Sequence, residues 1–102
     1  YAYTLWGEGS ALQILGMNKE ALADFQEAAT LFKETKDRRG LIYCALSIGE
    51  LDFMKDRKKG VRAFKSSLKK AEKLGLGVES RYARELISAA QKSPESIPLN
   101  LA

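Results

Sequence analysis

Apolar residues recur every three or four positions along most of the chain. Leu5, Trp6, Leu12 and Leu15 form a first stripe, and Ala21, Leu22, Phe25, Ala28, Ala29 and Phe32 form a second. Ile42, Ala45, Leu46, Gly49 and Phe53 form a third, Val61, Phe64, Leu68 and Ala71 a fourth, and Tyr82, Ala83, Leu86, Ile87 and Ala90 a fifth. This spacing lines one face of a 3.6-residue helix, and no run alternates long enough to read as a strand. Turn signals separate the stripes: Gly16-Met17-Asn18, the charged run from Lys36 to Gly40, the weaker Lys55-Asp56-Arg57, and Gly75-Leu76-Gly77. The only prolines, Pro94 and Pro98, lie near the end. The pattern predicts five helices at about 2–15, 19–35, 40–54, 58–74 and 78–92. Short connections make consecutive helices antiparallel neighbours. Residues 93–102 read as a Pro-containing tail whose Ile97, Leu99 and Leu101 alternate as on one side of an extended chain, so the tail is expected to dock.

The stripes repeat. Tyr3 and Tyr43, like Gly9 and Gly49, lie 40 residues apart, while Phe25 and Phe64, Tyr43 and Tyr82, and Ile48 and Ile87 lie 39 apart. The one-residue slip falls near Lys55. The chain reads as two helical hairpins and half of a third: about 2–39, 40–77 and 78–92. Leu5, Gly9, Leu12, Gly16, Ala21, Phe25 and Ala28 fill the places of a known pattern, and here the chain resembles the tetratricopeptide repeat (TPR) family. Small residues at Gly9, Ala21 and Ala28 suit a close helix crossing, with the Phe25 ring filling the gap beside it. The second repeat keeps Ile48-Gly49 and Phe64, but Asp52 stands in a usually bulky place, Gly60 and Ser67 replace alanines, and the turn glycine is missing. Glu8 also departs from the pattern. The repeat exceeds the usual 34 residues, and the extra length is expected at Thr35 to Arg39.

The resemblance implies an all-α fold, a right-handed superhelical stack of antiparallel helical hairpins. It also implies a non-catalytic scaffold that binds a protein or peptide in a concave groove lined by the odd-numbered helices. The matching groove positions are Tyr3, Trp6, Ser10 and Gln13; Tyr43, Leu46, Ser47, Glu50 and Phe53; and Tyr82, Glu85, Leu86 and Ala89. Rings with sparse polar groups suit peptide docking, because they bury much area at little entropy cost. The places where the chaperone-binding TPRs carry Lys, Asn and Arg hold Trp6, Ser10, Ser47, Tyr82 and Leu86 here, so the resemblance implies no clamp for a terminal carboxylate. Two and a half repeats leave apolar ends, which opens two alternatives: a structural module stacking on itself or on adjacent repeats, or a regulatory segment of a transcription regulator.

Composition narrows the chemistry. There are 102 residues, no histidine and one cysteine, which excludes His-based catalysis, an intrachain disulfide and a four-cysteine zinc site. No catalytic or metal-binding constellation and no cofactor motif is present, so the expected protein is not an enzyme. Glu50 and Asp52, two apart on a helix, point different ways, and Gly75-Leu76-Gly77 follows no strand and reads as a helix stop. Cys44 is expected to pack as a small hydrophobe. The formal charge of +4 is unevenly spread: residues 1–34 carry −3 and residues 55–73 carry +7. Lys58, Lys59, Arg62, Lys65, Lys69 and Lys73 are expected to form a solvated helix face rather than a nucleic-acid site, since no aromatics are interleaved for base stacking. No apolar stretch spans a membrane, and neither a membrane nor a nucleic acid is an expected partner. The expected location is the cytoplasm, and Tyr1 at the start in place of methionine points to an excised or processed piece.

Overall fold

A computed structural model describes residues 1–92. The predicted docking of the tail residues Ile97, Leu99 and Leu101 lies outside the described residues. Five α-helices follow one another: α1 (Ala2–Ile14), α2 (Asn18–Glu34), α3 (Arg38–Lys55), α4 (Arg57–Lys73) and α5 (Gly77–Lys92). No strand occurs among the described residues. Each helix packs on its neighbours in sequence, and α3 also touches α1 and α5, whereas α2 and α4 do not meet. The molecule measures 36 × 32 × 19 Å. Its short dimension is two helix diameters, so α1, α3 and α5 make one layer and α2 and α4 the other.

Small residues let the hairpins close. A Cβ on Gly9 of α1 would sit 2.7 Å from Phe25 Cε1 of α2, and one on Gly49 of α3 would sit 3.0 Å from Phe64 Cε1 of α4. The same glycine-to-ring contact therefore occurs in both hairpins, at the 40- and 39-residue offsets of the sequence. Phe25 and Phe64 are both fully buried. The core runs in three patches. Ala21, Phe25 and Leu51 make one, Leu5, Ala28, Phe32 and Cys44 a second, and a larger one spreads from Ile42 and Leu46 through Phe53 and Phe64 to Tyr82, Leu86 and Ala90.

Three connections are built alike. After α1, α2 and α4 a residue takes a left-handed conformation: Gly16 (φ 79°), Lys36 (φ 59°) and Gly75 (φ 72°). The next amide reaches back to close the turn, from Met17 to the Leu12 carbonyl, from Asp37 to Phe32 and from Leu76 to Ala71, at 2.8–2.9 Å. This is the Schellman closure, and it satisfies carbonyls the helix end would leave bare. The stretch from Thr35 to Arg39, where extra repeat length was expected, is one such turn followed by the start of α3.

Gly40 does not end a turn, as the charged run suggested. Asp37 caps α3, its Oδ1 accepting the Gly40 amide at 2.9 Å, so the helix starts at Arg38 and Gly40 lies within it. Its missing Cβ leaves room for the Phe32 ring. The α3–α4 connection is the exception, for Asp56 alone joins the helices in an extended conformation (φ −144°, ψ 100°). A shorter link accounts for the slip from 40 to 39. It also brings the helices so close that a Cβ on Gly60 would lie 2.6 Å from the Phe53 Cα, which is why glycine stands where the first hairpin has Ala21.

Candidate functional site

The odd-helix positions expected to line a groove divide by depth. Ser10, Gln13, Leu46, Ser47, Glu50, Phe53, Tyr82 and Leu86 are buried where α1, α3 and α5 meet each other and the second layer. Trp6, Tyr43 and Ala89 are half-buried, and Tyr3 and Glu85 are exposed. The accessible part of the expected groove is therefore carried by Tyr3, Trp6, Tyr43, Glu85 and Ala89.

The buried polar members bind the helices of this layer to one another. Glu50 of α3 has no exposed surface. Its Oε2 accepts from Gln13 Nε2 of α1 at 3.0 Å and its Oε1 accepts from the Tyr82 hydroxyl of α5 at 2.9 Å. One carboxyl group thus ties three helices, and its burial is tolerated because donors meet both oxygens. The Trp6 indole N–H donates to Ser47 Oγ at 2.9 Å, and the Tyr43 hydroxyl donates to Glu79 Oε2 at 2.7 Å. Arg39 approaches the other Glu79 oxygen at 3.4 Å. Burial, followed by the hydrogen bond to Glu79, pushes the Tyr43 phenol up to about 12.

Arg39 and Glu79 were not among the expected site residues. A sequence signal existed, since opposite charges stand 40 residues apart on successive odd helices. The rings form a row along this layer. Trp6 and Tyr43 have centroids 5.5 Å apart, Tyr43 and Tyr82 6.2 Å apart, and Tyr3 meets Phe32 edge-on at 4.6 Å. The indole N–H and both tyrosine hydroxyls are already engaged within the molecule. What Trp6 and Tyr43 turn outward is ring surface, able to bury apolar groups but poor at reading polar ones.

The remaining candidate chemistry is quiet. Cys44 is 1% exposed, and burial pushes its thiol up to about 12, which suppresses the reactive thiolate. Asp52 is half-buried and lies 3.7 Å from Lys59 Nζ, while Glu50 points into the layer, so the two carboxyls do not face each other. Glu8 faces Asp24. A hydrogen bond between the two carboxyls, and then the Asp24 charge, raise the Glu8 titration point. Lys58, Lys59, Arg62, Lys65, Lys69 and Lys73 are all exposed. Among the described residues no group of three or more His, Cys, Asp or Glu could hold a metal, and no helix is long and apolar enough to cross a membrane.

The outer face of α1 completes the picture. Cys44, Ser47 and Leu51 of α3 are buried toward the preceding hairpin. The corresponding residues of α5, 39 further on, are Ala83, Leu86 and Ala90, and they too are buried. The corresponding residues of α1, 40 earlier, are Thr4, Gly7 and Ala11, and all three are exposed. The far side of α5 is different. Arg84, Ser88 and Gln91 stand where α1 and α3 carry their hairpin contacts, and Arg84 is paired with Glu72 at 2.8 Å. Among the described residues, one end exposes small residues and the other is polar. Compared with known proteins, the chain matches no family model, no curated protein and no solved structure.

Proposed function

We infer that the chain is a non-catalytic protein-interaction scaffold, a stretch of right-handed TPR-like stack that receives a protein segment rather than a substrate. The observation that carries this reading is the register of α1. The three positions that α3 and α5 bury against a preceding hairpin lie open on α1, with glycine and alanine where a helix must come close. The occupant that fits is another helical hairpin lying ahead of α1. Ala11→Arg tests it. In the chain alone this exposed change should cost no more than about 0.5 kcal/mol. In a chain carrying a second copy of residues 1–40 ahead of Tyr1, the same change overpacks the new contact and should cost about 1–3 kcal/mol. Equal costs in the two chains contradict the reading.

A second mode, peptide docking on the odd-helix layer, is favoured by the row of rings. Trp6 and Tyr43 offer outward ring surface with no unmet hydrogen bond, which suits an apolar anchor of a peptide. Peptides selected against the chain from a random library should shift the resonances of Tyr3, Trp6, Tyr43, Glu85 and Ala89. Selected peptides that map elsewhere contradict this mode.

A further inference from the structure

We propose that the cavity between the start of α3 and the end of α4 binds a small amphipathic carboxylate of medium-chain fatty-acid size. The cavity holds about 300 Å3 and is lined by Arg38, Leu41, Ile42, Ala45, Ser67, Lys70, Lys73 and Leu74. That volume is at the lower end of small-molecule sites. Leu41, Ile42, Ala45 and Leu74 give it an apolar floor. Arg38, Lys70 and Lys73 stand at its rim with no carboxylate among the lining residues, and none of them forms an ion pair among the described residues.

Ser67 adds an unengaged hydroxyl to the cavity wall. It is only 3% exposed, yet its hydroxyl has no hydrogen-bond partner among the described residues, although the serines at 10 and 80 bond back along their helices. The one enclosed side-chain oxygen without a partner among the described residues is Asp24 Oδ2, so the Ser67 hydroxyl opens onto the cavity it lines, where a ligand can meet it. The first hairpin shows what the same place holds when no ligand is to be met. Residue 67 corresponds to Ala28 and residue 70 to Leu31, and both pack in an apolar cluster with Ala2 and Leu5. Glu34 corresponds to Lys73. The second hairpin has thus exchanged an alanine for a hydroxyl, a leucine for a cation and an acid for a cation, all around one cavity. A carboxylate meets the three cations and the Ser67 hydroxyl, and an aliphatic chain covers the leucines and isoleucine.

The test is a titration of the full chain, labelled with 15N, by octanoate, octanol and acetate. Octanoate should shift the amides of Leu41, Ala45, Ser67 and Lys70 with a Kd of about 0.1–1 mM, and octanol and acetate should each bind at least about tenfold more weakly. The double change Lys70→Gln, Lys73→Gln alters only exposed side chains and should weaken octanoate about tenfold with the melting temperature unchanged. Ser67→Ala, which restores the residue of the first hairpin, should weaken it severalfold. Octanol binding as well as octanoate, unchanged affinity in the double variant, or shifts confined to other surfaces would each overturn the proposal. A capped Glu-Leu peptide binding more tightly than octanoate would assign the cavity to a protein partner and overturn it as well.

Discussion

Gly60 and Gly7 show how one residue type serves opposite ends in two helices. At Gly60 a methyl group would collide with the backbone of Phe53, whereas at Gly7 nothing lies within 4 Å. Gly7→Ala should therefore stabilise the chain by about 0.5–1 kcal/mol through helix propensity alone. Gly60→Ala gains the same propensity but forces α3 and α4 apart, and should cost about 1–3 kcal/mol net. Urea unfolding of both variants checks the contrast, and the same sign for both would refute it. Glu8 offers a test by pH. Its titration point is raised in the fold by Asp24, so the pair is favourable while Glu8 holds its proton and becomes a repulsion as pH rises through that raised value. Glu8→Gln should raise the melting temperature at neutral pH, and the gain should vanish in acid, below the ordinary carboxylate range. A gain that persists in acid would show that the carboxyl pair is not its cause.

The individual helices were legible from apolar spacing, although α3, packed among α1, α2, α4 and α5, buries residues on several sides. What spacing could not show is whether a glycine breaks a helix or admits a neighbour. Gly40 reads as a turn residue until Phe32 is seen lying over it. The polar residues of the odd helices were misleading for a related reason. The resemblance puts Gln13 and Glu50 at groove positions, and only the approach of α1 to α3 reveals that they meet each other across 37 residues. That contact makes Glu50 the linchpin of its layer. Glu50→Ala removes a buried side chain and strands the donors of Gln13 and Tyr82, and should cost about 3 kcal/mol or more. Glu50→Gln keeps an acceptor for Tyr82, and the Gln13 amide can turn over to meet it, so the loss should stay below about 1.5 kcal/mol. If alanine and glutamine cost the same, the network does not hold the layer together.

At the scale of the whole molecule the two ends differ in kind. The far side of α5 carries Arg84, Ser88 and Gln91, with Arg84 paired to Glu72. The α1 end carries Thr4, Gly7 and Ala11 uncovered. That asymmetry could be seen in the sequence only by laying α1, α3 and α5 over one another at offsets of 40 and 39, and its meaning appears only with the burial of α3 and α5. Under the proposed stacking on α1, the chain should be stabilised by gaining a hairpin there. The direct measurement is the melting temperature of the chain carrying a second copy of residues 1–40 ahead of Tyr1, beside that of the chain alone. A single transition raised by at least about 5 °C is the predicted result. An unchanged melting temperature, or a separate transition for the added hairpin, would contradict the account.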